Sequence, residues 1–167
     1  MGIWGARVLV VDDGVEMAES AGPLLRAAGA DLIVVPTAGA ALATVIGVTP
    51  DLLVIDATVP GLDALGLLRA IRALSPEKGG QLPAVILAPA AGDERIEGWL
   101  EAAVQGHLAK PFEPADLLAV VERLAGRAVE RRRRALDRRH WPRDVSRDRR
   151  AEVRDGLPLP WPESGYY

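Results

Sequence analysis

The stretch Leu52–Gly61, with the sequence LLVIDATVPG, decides the fold predicted for this chain. Four apolar residues lead directly into one carboxylate, Asp56, and a short turn containing a proline–glycine pair follows. An apolar run of this length predicts a strand buried on both faces, as in the middle of a parallel sheet. Functional groups in such sheets gather at the carboxyl ends of the strands, so Asp56 is the first candidate site residue.

A second apolar run, Val8–Val11, belongs to the predicted first strand, Arg7–Val11, and ends in the same way, in the acidic pair Asp12 and Asp13. Both strands are predicted to deliver their carboxylates to one edge of the sheet. Carboxylates that lie close together repel one another unless a metal ion or a proton lies between them. We therefore expect a cation site at this edge.

The remainder of the chain alternates between strand and helix patterns. Further strands are predicted at Leu32–Val35, Ala84–Leu87 and Gly106–Ala109. Helices are predicted at Val15–Ala28 (kinked by Pro23), Ala38–Ile46, Asp63–Leu74 and Asp93–Val104, with a last helix opening at Glu113–Pro114. In the helix at Asp93–Val104, the residues predicted to face inward are Ile96, Leu100 and Ala103. Five alternations predict an α/β fold in which a five-stranded parallel sheet of order 2-1-3-4-5 has helices on both faces. This order brings Lys110, which follows the fifth strand, to the edge that carries Asp56.

Composition and charge divide the chain into a domain, residues 1–126, and an Arg-rich extension, residues 127–167. The domain carries 8 basic and 16 acidic side chains, a net charge of −8, whereas residues 127–155 carry 12 Arg and 6 acids, a net charge of +6. The chain has no cysteine, which excludes disulfides and cysteine-bound zinc. It also lacks an apolar run of the ~20 residues that a membrane span needs, so we expect a cytoplasmic protein without membrane contact.

The extension is predicted to continue the last helix to about Arg139 and then to be irregular through the segment GLPLPWPESGYY. Three interpretations of the extension are open. In order of preference they are a solvated extension, a partner-docking segment and a nucleic-acid-binding segment. Clustered Arg residues bind phosphates, but interspersed acids such as Asp144 and Asp148 weaken the basic field.

Three motifs in colinear register, VLVVDD, LLVIDATVPGLDALGLL and HLAKPF, lie within about Arg7–Arg127. On these motifs the chain resembles the receiver domain of bacterial response regulators, particularly the single-domain chemotaxis type. The resemblance implies that Asp56 accepts a phosphoryl group from a sensor histidine kinase or a phosphotransfer protein. It implies that Asp12, Asp13, Asp56 and the backbone carbonyl of Thr58 hold Mg²⁺. It further implies that Lys110, before a cis Pro111, bonds a phosphoryl oxygen.

The chain departs from the family pattern where the family transmits its signal. Ala88, followed by Pro89, stands where the family has Thr or Ser at the end of the fourth strand. His107 stands in place of the aromatic switch residue and is interpreted as a partly buried packing residue. Gly14 and Ala64 are smaller departures, from a third acidic residue and from a glycine.

Two hypotheses for the function follow. The leading one is a stand-alone response regulator that is phosphorylated on Asp56 with Mg²⁺, is not an enzyme beyond this self-directed chemistry, and signals to an unidentified downstream protein. The alternative is a pseudo-receiver adaptor that binds partners through its fourth and fifth helices and its basic tail, whatever its phosphorylation state. The acidic residues and Lys110 could also be a structural charge cluster. Trp99 is a candidate partner-face anchor or a core residue, and a homodimer is possible.

Overall fold

The computed structural model describes residues 2–13, 17, 19–90 and 92–140, with side chains to residue 137. Predictions for Gly14, for the helix start at Val15 and for the segment from Trp141 onward lie outside the described residues. The chain forms two compact units, Met1–Arg132 and Arg133–Tyr167. In the second unit the described residues, 133–140, are helical.

The predicted sheet is confirmed. Its five parallel strands follow the order β2-β1-β3-β4-β5. They are β1 Arg7–Val11, β2 Asp31–Val35, β3 Leu52–Asp56, β4 Ala84–Ala88 and β5 Gly106–Ala109. Every residue of β3 and β4 is buried, as expected for central strands covered on both faces.

Helices cover both faces of the sheet. They are α1 Ala21–Ala27, α2 Ala38–Val48, α3 Ala64–Arg72, α4 Ile96–Glu101 and α5 Pro114–His140, with a short 3₁₀ turn at Pro76–Lys78. Alternate strand residues point to opposite faces. One face of the sheet therefore packs with α1 and α5, and the other with α2, α3 and α4. In the described part of the chain, no helix combines the length and the apolar character that crossing a membrane would need.

Pro23 interrupts the first helix, as predicted. Met17 and Glu19 are helical, Ser20 has a non-helical backbone, and α1 begins at Ala21. Proline has no N–H to donate to the carbonyl four residues earlier, which is that of Glu19. The helix therefore breaks within the turn that precedes Pro23.

The fourth helix is shorter than predicted and has a different buried face. The prediction placed Leu100 inward, but Leu100 is 53% exposed while Trp99 is 2% exposed. Ile96, Trp99 and Ala102 pack against the sheet. The helix ends at Glu101, and Ala103 adopts a left-handed φ of 58°, with its carbonyl accepting from the Arg72 side chain at 3.0 Å. The buried face of this helix is therefore the one that carries Trp99.

The compact unit extends beyond the boundary predicted at residue 126. Val129 is buried in the core between α5 and the sheet. One turn later, Arg132 Nη1 lies 2.7 Å from Oδ2 of Asp51, a carboxylate that is 5% exposed. Arg132 also donates to the Gly5 carbonyl at 2.8 Å. Both an apolar and an ionic contact thus hold this part of α5 against the first unit, which ends at Arg132.

Candidate functional site

Two buried carboxylates lie at the carboxyl edge of the sheet. β1 pairs with β3 so that Val11 is opposite Ile55, and the next residues are Asp12 and Asp56. Asp12 is 2% exposed and Asp56 is 3% exposed. Burying an ionised carboxylate is unfavourable unless it is paired or hydrogen-bonded, so these two residues require partners.

Lys110 supplies the partner of Asp56. Its Nζ lies 2.7 Å from Asp56 Oδ2. The backbone fixes the base of the side chain, since the Lys110 N–H donates to the Ala88 carbonyl at 2.9 Å, and the Lys110–Pro111 bond is cis as the resemblance implied. The structure thus joins the ends of β3 and β5 through one charged pair.

Thr58 contributes a side chain that the sequence analysis did not use. Its N–H donates to Asp56 Oδ1 at 2.8 Å and its hydroxyl to the same oxygen at 2.5 Å. Lys110 Nζ donates to the Thr58 hydroxyl at 3.1 Å. A signal for this contact was present, because Asp carboxylates commonly accept the N–H two residues later in a turn.

Asp12 and Asp13 differ in their surroundings. Asp12 is buried, and its Oδ2 accepts the Met17 N–H at 3.2 Å, whereas Asp13 is exposed to solvent. Among the described residues, no three acidic or histidine side chains are arranged to hold a metal ion. Mg²⁺ nevertheless binds through one or two carboxylates together with water, so the donor set of Asp12 and Asp56 fits it. Ligation by Asp13 and by the Thr58 carbonyl stays a prediction.

The two departures from the family pattern lie beside this edge. Ala88 ends β4 and is fully buried, so its place in the site is apolar. His107 lies on β5, opposite Ile86, and is exposed. The prediction of a partly buried packing residue was wrong, because β5 is the edge strand and leaves this position open to solvent.

Trp99 is a core residue, which corrects its assignment to the partner face. Its ring packs among the side chains of α3 and the sheet and is only 2% exposed. The Arg95 guanidinium carbon lies 5.3 Å from the ring centroid. Arg95 also donates from Nη2 to Asp93 Oδ2 at 2.9 Å, and these hydrogen bonds hold the pKa of the Asp93 carboxyl below its usual value.

Comparison with known proteins bears on the first unit. The family model of the response regulator receiver domain matches residues 8–122. The DNA-binding response regulator MtrA of Mycobacterium tuberculosis is 33% identical over 115 residues, which are 69% of this chain and 48% of MtrA. The chain therefore spans about half the length of this curated relative.

Two solved structures of response regulator or receiver proteins are also similar to this chain. A putative response regulator from Chloroflexus aurantiacus is 31% identical, with a TM-score of 0.64 over 72% of this chain and 98% of that one. The receiver domain of the sensor histidine kinase PA1611 from Pseudomonas aeruginosa is 29% identical, with a TM-score of 0.64 over 73% of this chain and 98% of that one. The latter is described with a magnesium ion coordinated in its active-site cleft.

Proposed function

The chain belongs to the response regulator receiver domain family of two-component systems, and from this premise we propose that it accepts a phosphoryl group on Asp56 in a Mg²⁺-dependent reaction. The donor is a sensor histidine kinase or a phosphotransfer protein, and the signal leaves through contact with another protein. In this proposal the chain turns over no external substrate beyond its own phosphorylation and dephosphorylation. That it acts as a stand-alone regulator stays a prediction.

One observation carries the proposal: Asp56 is buried at the end of β3, with Lys110 at 2.7 Å and Asp12 on the neighbouring strand. Phosphoryl transfer requires positioning and charge stabilisation more than covalent chemistry from the protein. Lys110 places positive charge where phosphoryl oxygens would arrive. Asp12, Asp13, Asp56 and the Thr58 carbonyl would hold Mg²⁺, which supplies charge neutralisation when bound.

The test is the intact mass of the protein after incubation with acetyl phosphate and Mg²⁺. Wild type should gain one phosphoryl group, and Asp56→Asn should gain none. Asp31→Asn removes an exposed carboxylate at the start of β2 and serves as the matched control, which should behave as wild type. Equal phosphorylation of wild type and Asp56→Asn would contradict the assignment of the acceptor.

A second candidate is a pseudo-receiver adaptor that binds its partner independently of phosphorylation. It is favoured by the apolar Ala88 and the exposed His107, because the hydroxyl and the aromatic ring that relay the signal in the family are both replaced. Hydrogen exchange of residues 96–109 with and without beryllofluoride separates the candidates. Unchanged hydrogen exchange in a protein that binds beryllofluoride would support the adaptor. A clear change would support the regulator that responds to phosphorylation.

A further inference from the structure

Three polar side chains of the acceptor site, those of Asp56, Thr58 and Lys110, form a closed ring of hydrogen bonds. Lys110 Nζ donates to Asp56 Oδ2 at 2.7 Å and to the Thr58 hydroxyl at 3.1 Å. The Thr58 hydroxyl in turn donates to Asp56 Oδ1, which also receives the Thr58 N–H at 2.8 Å. Thr58 therefore contacts both the acceptor and its cation.

The two oxygens of Asp56 are distinguished by these contacts. Oδ1 receives two hydrogen bonds from Thr58, which is held in place by the backbone turn after β3. Oδ2 receives its bond from the end of the long Lys110 side chain. The Lys110 side chain can therefore move away from Oδ2, whereas the two donors of Oδ1 belong to the residue of the adjacent turn.

The end of β4 supplies no hydroxyl to the site. Ala88, at the end of β4, is fully buried and has only a methyl group. Its backbone carbonyl is engaged by the Lys110 N–H. The hydroxyl in the structure thus comes from the turn after β3 and not from the end of β4.

We propose that Thr58 is a positioning residue for phosphoryl transfer, an inference that rests on the proposed function. The Thr58 hydroxyl orients Asp56 so that Oδ2 attacks. The same hydroxyl keeps Lys110 beside the transferred group. In the transfer, Oδ2 forms a bond to phosphorus while the bond between phosphorus and the donor's leaving group breaks. The electron pair of the broken bond leaves with the donor. Oδ1 becomes the carbonyl oxygen of the acyl phosphate and retains its Thr58 donors, and Lys110 follows the negative charge to a phosphoryl oxygen while remaining bonded to the Thr58 hydroxyl.

The experiment compares Thr58→Ser with Thr58→Ala, since these variants lose the same methyl group and differ only in the hydroxyl. Thr44→Ala is the control, because it removes a threonine hydroxyl that bonds only within α2, to the Ala40 carbonyl at 2.8 Å. Three quantities are measured: the rate constant for phosphorylation by acetyl phosphate with Mg²⁺, the affinity for beryllofluoride, and the unfolding midpoint without Mg²⁺ or phosphate analogue.

Thr58→Ala should be phosphorylated about tenfold or more slowly than wild type and should bind beryllofluoride correspondingly more weakly, whereas Thr58→Ser should lie within about threefold of wild type. Thr44→Ala should match wild type in both. If Thr58→Ala does not fold, Thr58→Val, which preserves the side-chain shape, replaces it in the comparison with wild type.

Equal rates for Thr58→Ala and Thr58→Ser, whether both fast or both slow, would overturn the proposal, because the hydroxyl would then have no specific effect. A loss confined to the unfolding midpoint, with rate and affinity unchanged, would also overturn it. Absence of phosphorylation in wild type would instead count against the proposed function, so the two failures are distinguishable.

Discussion

Lys110 Nζ lies 2.7 Å from Asp56 Oδ2, although 54 positions of sequence separate the two residues. The pair is largely shielded from solvent, with side-chain exposures of 15% and 4%. The proposed phosphorylation of Asp56 would use the same charged contact.

Lys110→Met should therefore destabilise the protein in Mg²⁺-free buffer. Removing one partner of a buried pair costs about 3–5 kcal/mol because the remaining charge stays buried without its ion-pair partner. Asp56 keeps its hydrogen bonds from Thr58, which place the expected cost at the lower end of this range. Phosphorylation by acetyl phosphate should also be strongly slowed. Urea unfolding and intact mass measure the two effects. The chain's other lysine, Lys78, is exposed, and Lys78→Met should change neither quantity; equal effects of the two variants would contradict the role assigned to Lys110.

Mg²⁺ should raise the unfolding midpoint of the wild type, since a ligand that binds only the folded state stabilises it. Asp12→Asn should abolish most of this shift, because Asp12 is buried beside Asp56. Asp31→Asn, at an exposed position on β2, should retain the shift in full. A midpoint that rises equally with Mg²⁺ in wild type and Asp12→Asn would exclude Asp12 as a ligand.

Arg132→Ala should destabilise the first unit by about 1.5–3 kcal/mol, the contribution typical of hydrogen bonds to charged groups. The substitution removes the partner that Arg132 provides to the buried Asp51 and its bond to the Gly5 carbonyl. The neighbouring Arg131 is exposed, and Arg131→Ala should change the free energy of unfolding by no more than about 0.5 kcal/mol. If chemical denaturation finds no difference between these variants, the contact does not extend the domain to Arg132.

Trp99→Ala should cost about 3–5 kcal/mol of stability, as expected for emptying an aromatic site in the core. Leu100→Ala, one residue later, should cost no more than about 0.5 kcal/mol because Leu100 lies largely in solvent. The free energy of unfolding of the two variants decides the orientation of α4. A larger loss of stability in Leu100→Ala than in Trp99→Ala would instead support the sequence-based prediction that Leu100 faces inward.

The Asp93 carboxyl should titrate below the ordinary Asp pKa of about 3.9 because it accepts hydrogen bonds from the Arg95 side chain and backbone. In Arg95→Gln its pKa should rise toward that value, as followed by NMR. Since the folded-state pKa is the lower one, the stabilisation is present above the ordinary pKa and is lost as the pH falls through the lowered value. An unchanged Asp93 titration in Arg95→Gln would contradict the assignment of this ion pair.

The fold and the main site residues could be predicted from the sequence because their signals are local. The runs Val8–Val11 and Leu52–Ile55 are wholly apolar up to the Asp that follows each, and β4 is apolar throughout, which is typical of central parallel strands. The short links between strands and helices then leave few topologies, so the meeting of Asp12, Asp56 and Lys110 at one edge followed from the strand order.

Three features required the tertiary structure. The burial of Trp99 depends on how α4 packs against the sheet and α3, and the chain just after α4 contacts α3 through the Ala103 carbonyl and Arg72, 31 positions away. The extent of the domain depends on Arg132 reaching Asp51 across 81 positions of sequence. The ring that joins Thr58, Asp56 and Lys110 closes only when the ends of β3 and β5 are brought together.

The sequence by itself determined which segments are strands and helices, their order in the sheet and which carboxylates lie at its edge, since hydrophobic periodicity and connection length act over a few residues. Only the tertiary structure decided which side chains meet across the strands and helices and which are left exposed. Those outcomes depend on packing and hydrogen bonding between residues that are distant in sequence, and a single sequence carries no direct record of such contacts.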